Sequence, residues 1–76
     1  MNSRTYRIVI NGQLFTVDLP ALAAVQIRAL AGIPDTDTLV VEGRGESPDR
    51  WLTEDAVVSL EKGPVHVYTT PPTMMG

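Results

Sequence analysis

The sequence predicts an α+β domain, a mixed sheet of four to five strands packed on one helix. Three observations predict it. Two alternating stretches flank Asn11-Gly12, an Ala- and Leu-rich stretch follows from Ala21 to Ala31, and short apolar runs return at Leu39–Val41 and Val65–Tyr68. A hairpin connected through one helix to further strands makes a two-layer domain with a single core.

The hairpin comes first. Thr5 to Ile10 sets Tyr6, Ile8 and Ile10 on one face and Arg7 and Val9 on the other. Asn11-Gly12 suits a type I′ turn, which needs positive φ at both central residues. The partner strand runs from Gln13 to Leu19, with Phe15, Val17 and Leu19 alternating against Thr16 and Asp18. A two-residue loop pairs Ile8 with Phe15 and Tyr6 with Val17, which puts both apolar sets on one face.

Pro20 suits the first turn of a helix, because that position needs no N–H donor. Ala21 to Ala31 contains no Gly or Pro and favours helix. Ala23, Ile27, Leu30 and Ala31 fall at helical spacing and are expected against the sheet, with Gln26 and Arg28 in water. Gly32 reads as the residue that ends the helix, and Pro34 prevents its continuation.

Leu39-Val40-Val41 reads as a third strand. Arg44 to Arg50 reads as a loop around Gly45 and Pro48, and Trp51-Leu52 brings apolar groups back to the body. Trp51 reads either as an interface anchor or, the favoured reading, as a half-buried cover for the open side of the core. Thr53 to Asp55 suits a capped turn. Val57, Val58 and Leu60 lead into a Glu61-Lys62-Gly63-Pro64 turn. The last strand turns Val65 and Val67 inward and His66 and Tyr68 outward. The helix and long loop give enough crossover for this strand to lie parallel to the first. The arrangement is a β-grasp, spanning residues 1–68, followed by an extended tail at 69–76.

Composition narrows the function. A chain of 76 residues forms one domain and buries about 60–65% of its unfolded surface. It has no cysteine, one histidine (His66), one lysine (Lys62) and a net charge of −3. Without a thiol or a second histidine, no metal site, cofactor or ordinary catalytic pair is expected, and the chain does not read as an enzyme. The arginines at 4, 7, 28, 44 and 50 form no basic run, which argues against nucleic-acid binding. Neither a signal peptide nor a membrane-spanning run is visible, so a cytoplasmic monomer is expected.

The tail, Thr69-Thr70-Pro71-Pro72-Thr73-Met74-Met75-Gly76, suggests that its carboxylate is the reactive group. Pro71 and Pro72 oppose helix and sheet pairing. Stretched out, Thr69 to Gly76 spans roughly 23–25 Å, enough to enter another protein's cleft. Glycine passes a narrow channel because it has no Cβ. Met74 and Met75 are adaptable apolar contacts. A frayed terminus is the plain alternative. On the outer sheet face, Val40, His66 and Tyr68 are expected to sit together, with Val9 and Leu14 extending the patch. Scattered surface hydrophobics are the plain alternative there. A lone strand histidine reads as surface rather than as a switch.

The residues also resemble ubiquitin. Ile27 with Gly32-Ile33-Pro34-Asp35 is similar to its helix end and following loop. Leu39-Val40-Val41-Glu42-Gly43-Arg44 is similar to its third strand, Leu52-Thr53 to a later Leu-Ser pair, and Val65-His66-Val67 to the Leu-His-Leu of its last strand. A closer likeness is to bacterial multiubiquitin-type domains. It is carried by Tyr6-Arg7-Ile8, Ile10-Asn11-Gly12 and Phe15-Thr16-Val17-Asp18 in the hairpin, and by Ile27-Arg28-Ala29-Leu30-Ala31-Gly32-Ile33 at the helix end.

This resemblance implies a ubiquitin-like modifier in a bacterial anti-phage operon. Its expected partners are an ATP-dependent activating enzyme, a conjugating enzyme, a deubiquitinase-like protease and target proteins. The outer face would match ubiquitin's main partner-binding patch. The chain departs from ubiquitin in its uncharged tail, its single Gly76, its two extra residues after the strand histidine and its tighter first turn. A dedicated activating enzyme is therefore implied. With Lys62 as sole lysine, single modification is expected rather than varied chains. A non-covalent binding module and a thiocarboxylate sulfur carrier remain as alternatives.

Overall fold

The computed structural model describes residues 4–71. The chain forms β1 (Tyr6–Ile10), β2 (Gln13–Val17), β3 (Ala21–Ala23), α1 (Ala24–Ala31), β4 (Thr38–Val41), β5 (Arg50–Leu52), β6 (Val57–Ser59) and β7 (Val65–Thr70). A five-stranded sheet has the order β2-β1-β7-β4-β5, and β3 pairs with β6 in a separate two-stranded sheet. The larger sheet is mixed. β7 runs parallel to β1 and antiparallel to β4, as the crossover length predicts. No helix among the described residues is long and apolar enough to cross a membrane.

The hairpin register follows the sequence reading, with Ile8 opposite Phe15 and Tyr6 opposite Val17. Asn11 and Gly12 both adopt positive φ, 51° and 82°, as the tight turn requires. β2 stops at Val17, and Leu19 is 42% exposed instead of joining the inner face.

The helix begins three residues later than propensity suggests. Ala21, Leu22 and Ala23 pair with Ser59, Val58 and Val57, and the Leu60 N–H donates to the Pro20 carbonyl. Pro20 therefore precedes a strand rather than opening a helix. Ladder bonds and burial of Leu22 override the helical preference of Ala and Leu. At the helix start, the Ala24 N–H donates to Ala56 O and the Ala23 N–H to Gln26 Oε1. At its end, Gly32 sits at φ 68°, and the Ile33 N–H closes onto Arg28 O.

This start sets the helix phase. Ala24, Ile27 and Arg28 are buried and Ala31 packs on the core, an i, i+3, i+4, i+7 face. Arg28, expected in water, is therefore only 6% exposed. Its Nη1 donates to Pro34 O at 2.7 Å and its Nη2 to Glu54 Oε1 at 3.0 Å. The side chain ties the helix end to the loop after it and to the turn before β6. The core joins Ile8, Ile10, Leu39, Val41 and Val67 of the sheet to Leu22, Ile27, Val58 and Leu60. Burying a side chain such as Ile27 stabilises the fold by roughly 1.5–3 kcal/mol.

Candidate functional site

The five-stranded sheet buries one face on α1 and leaves the other open, so alternate residues of each strand form an outer surface. The register defines two rows on it. Leu14, Val9 and His66 are successive neighbours across β2, β1 and β7. Tyr68, Val40 and Trp51 are successive neighbours across β7, β4 and β5. The five residues expected on this face thus do share it.

Their accessibility differs. Leu14 is 56% exposed, His66 is exposed, and Val9 and Tyr68 are half-buried. Val40 is only 2% exposed. Flanked by Tyr68 and Trp51, it supports the patch from beneath and offers a partner almost no surface. Trp51 reverses its expected place. It is 79% exposed, because the residues that turn inward from β5 are its neighbours, with Leu52 packed on the core. The alternation Arg50-Trp51-Leu52 carried that signal, as did an outward Val40 opposite Trp51.

The loop between β4 and β5 is fastened to this face through Asp49. Its Oδ1 accepts from the Gly43 N–H at 2.8 Å and its Oδ2 from the Tyr68 hydroxyl at 2.7 Å. The Gly43 N–H foremost, and then the Tyr68 hydroxyl, hold the Asp49 carboxyl below its ordinary value. The hydrogen bond to Asp49 is the main cause that pushes the Tyr68 hydroxyl up, followed by burial and the charges of Asp49 and Glu42. Gly43 has no room for a side chain. A Cβ there would collide with Ser47 O and lie 2.7 Å from Pro48 backbone atoms.

A second fastening lies where β7 ends. The Asn11 N–H donates to Val67 O at 2.9 Å, and the Thr69 N–H donates to Asn11 Oδ1 at 3.0 Å. Asn11 Nδ2 donates in return to Thr69 Oγ1. The chain leaves β1 at this turn, so the Asn11 side chain continues the ladder in place of the lost strand. β7 consequently stays in the sheet through Thr70, two residues past the expected domain end at 68, with Thr69 opposite Leu39 and Thr70 opposite Thr38. Pro71 follows and is exposed. Pro72, Thr73, Met74, Met75 and Gly76 lie outside the described residues. Asn11 as a clamp and Asp49 are the contributors that sequence reasoning missed, while Trp51 takes the interface position that was its less favoured reading. Among the described residues, no group of three His, Asp or Glu side chains is placed to hold a metal.

One helix on a mixed five-stranded sheet, with a central last strand parallel to the first, defines a ubiquitin-like β-grasp domain. A family match agrees with it: the Multiubiquitin family matches residues 6–71, and the chain belongs to that family. No curated protein and no solved structure matches the chain.

Proposed function

We propose that this domain is a protein modifier, a folded tag joined to other proteins through the carboxylate of Gly76. The reading requires Gly76 to be the terminus of the mature chain, whether encoded there or exposed by a protease. Membership of the multiubiquitin family supports the reading. The observation that carries it is the exit of β7, held by β1, β4 and Asn11 through Thr69 and leading into exposed Pro71. A segment attached to so fixed a strand leaves the body at a defined place, and Pro71 and Pro72 oppose its return to the sheet.

The domain would be a substrate rather than a catalyst. On a partner activating enzyme, a Gly76 carboxylate oxygen attacks the α-phosphorus of ATP and pyrophosphate leaves. An enzyme nucleophile then displaces AMP from the acyl group. A nucleophile of the conjugating enzyme next displaces that of the activating enzyme, and a target amine finally displaces the conjugating enzyme's nucleophile and forms the amide. Splitting the reaction this way replaces one hard step by easier ones. Glycine keeps the tetrahedral intermediates uncrowded. Met74 and Met75 serve as apolar contacts in the partner's channel, while Leu14, Val9, His66 and Trp51 form the face that the enzymes read. A deubiquitinase-like protease reverses the bond. We place the system in a bacterial cytoplasm, in an anti-phage operon.

The test is expression of tagged protein beside a Gly76-deleted form in a host carrying the partner genes, followed by denaturing separation. Shifted bands that vanish on deletion support the reading; bands that persist overturn it. A second reading, a non-covalent binding module, is favoured by the exposure of Trp51 in the row that runs through Val40 to Tyr68. It predicts that deleting Gly76 leaves function intact while Trp51→Ala abolishes it.

A further inference from the structure

The chain carries a net charge of −3, yet three of its six cations gather at one place. Arg44, Arg50 and Lys62 rim a cleft of about 780 Å³ where β4 ends and β5 and β7 begin. Glu42 is the one acid on that rim. The separation of these residues in sequence hides the cluster, which the sheet assembles from a loop, a strand start and a turn.

Among the described residues none of the three rim cations makes an ion pair, not even with Glu42. The only ion pair among the described residues joins Arg28 to Glu54. Arg44 donates to the carbonyls of Lys62 and Pro64, which fix its guanidinium on the rim without cancelling its charge. Arg44, Arg50 and Lys62 line one cleft, so their fields act together on a ligand in it. The lining is apolar between them. Val57 and Val65 contribute, and Val57 is 65% exposed, an apolar surface that the described residues leave open. No Phe, Tyr or Trp lines the cleft, so it lacks the stacking platform on which unpaired nucleobases bind.

We infer that this cleft docks an extended peptide segment of a partner protein, one that combines carboxylate side chains with aliphatic ones. Carboxylates meet Arg44, Arg50 and Lys62, and an aliphatic side chain covers Val57. Arginine favours such a ligand because its planar fork matches a carboxylate in two parallel hydrogen bonds. The cleft adjoins the Leu14–Trp51 face at His66, which belongs to both, and at Arg50, which precedes Trp51 in β5; the inference does not depend on Gly76 being conjugated.

The experiment titrates the full isotope-labelled chain, with no enzyme added, and follows backbone amide signals. The probes are a blocked hexapeptide alternating Glu and Leu, its Lys and Leu counterpart, and a short oligothymidylate. The Glu–Leu peptide is expected to move the signals of Arg44, Val57 and Lys62, and to bind more weakly as salt rises. Arg50→Glu combined with Lys62→Glu is expected to weaken it by about tenfold or more, equivalent to ~1.4 kcal/mol. Neither side chain makes a hydrogen bond among the described residues, so signals outside the cleft should stay in place and report an intact fold. Val57→Ser should weaken the same peptide. The inference is overturned if the cleft signals do not move at millimolar peptide, or if they move equally with the Lys–Leu peptide. It is also overturned if the oligothymidylate binds more tightly, or if the shifts fall on Leu14 and Tyr68 instead.

Discussion

Asn11 and Thr69 are 58 positions apart in sequence and joined by two hydrogen bonds, each of 3.0 Å. The turn of the first hairpin thus holds the end of the last strand. Asn11 has to satisfy two demands together, a φ of 51° and a side chain that both donates and accepts. Asn meets both, being among the residues that tolerate the left-handed region.

Substituting Asn11→Gly keeps the backbone conformation and removes the clamp. It should lower unfolding free energy by about 1–2 kcal/mol in urea titration, and speed amide exchange at Thr69 and Thr70. Asn11→Asp, which keeps the acceptor for the Thr69 N–H, should lose less. Unchanged exchange in Asn11→Gly would show that β7 is held without this residue.

The Asp49–Tyr68 bond makes stability sensitive to pH at both extremes. The folded pKa of Asp49 lies below the ordinary 3.8, so its contribution is present above that value and lost as pH falls through the folded pKa. That of Tyr68 lies above the ordinary 10.0, so its contribution is present below that value and lost as pH rises through the folded pKa. Tyr68→Phe should remove the alkaline limb of a stability-against-pH curve and shrink the acidic limb only in part, because the Gly43 N–H still holds Asp49. Curves for the two proteins that stay parallel across the acidic and alkaline limbs would contradict the assignment.

Gly43→Ala introduces a Cβ into backbone atoms of Ser47 and Pro48. It should cost roughly 1–3 kcal/mol, the usual range for overpacking, and it should release the Asp49 bond, returning the Tyr68 titration toward normal. A variant with native stability would mean that the 43–49 loop yields without cost.

Arg28 and Glu54 form one ion pair with unequal stakes. The Arg28 side chain is 7% exposed and that of Glu54 66%. Arg28→Ala strands the Pro34 carbonyl and opens the helix end, and should cost about 1–3 kcal/mol. Glu54→Gln should cost under about 1 kcal/mol, because that end of the pair is in water. Thermal or urea unfolding of the two variants separates the contributions, and equal losses would contradict the account.

The hairpin was legible because two independent signals agreed, the Asn11-Gly12 turn and the alternation on either side of it. The parallel placement of β7 followed from crossover length, and Gly32 from its position between Ala31 and Pro34. β3 was hidden because Ala21-Leu22-Ala23 has helical preference, and only pairing with Val57–Ser59 makes it a strand. Arg28 was misplaced because the helix phase depends on where β3 ends. Val40 was put on the right strand, but its burial is set by side chains of the neighbouring strands; Trp51 was given no strand, because three residues after a loop make too short a pattern to read as β5. The cleft cations come from positions 44, 50 and 62 and meet only in the fold.

The most direct test of the modifier reading is mass spectrometry of trypsin-digested conjugates from a host with the partner genes. No Lys or Arg follows Lys62, so trypsin leaves residues 63–76 attached to any modified target. The account predicts branched peptides in which Gly76 is joined to a target amine, lost from the Gly76-deleted strain. Shifted bands that contain no such branch, or that survive the deletion, would contradict it.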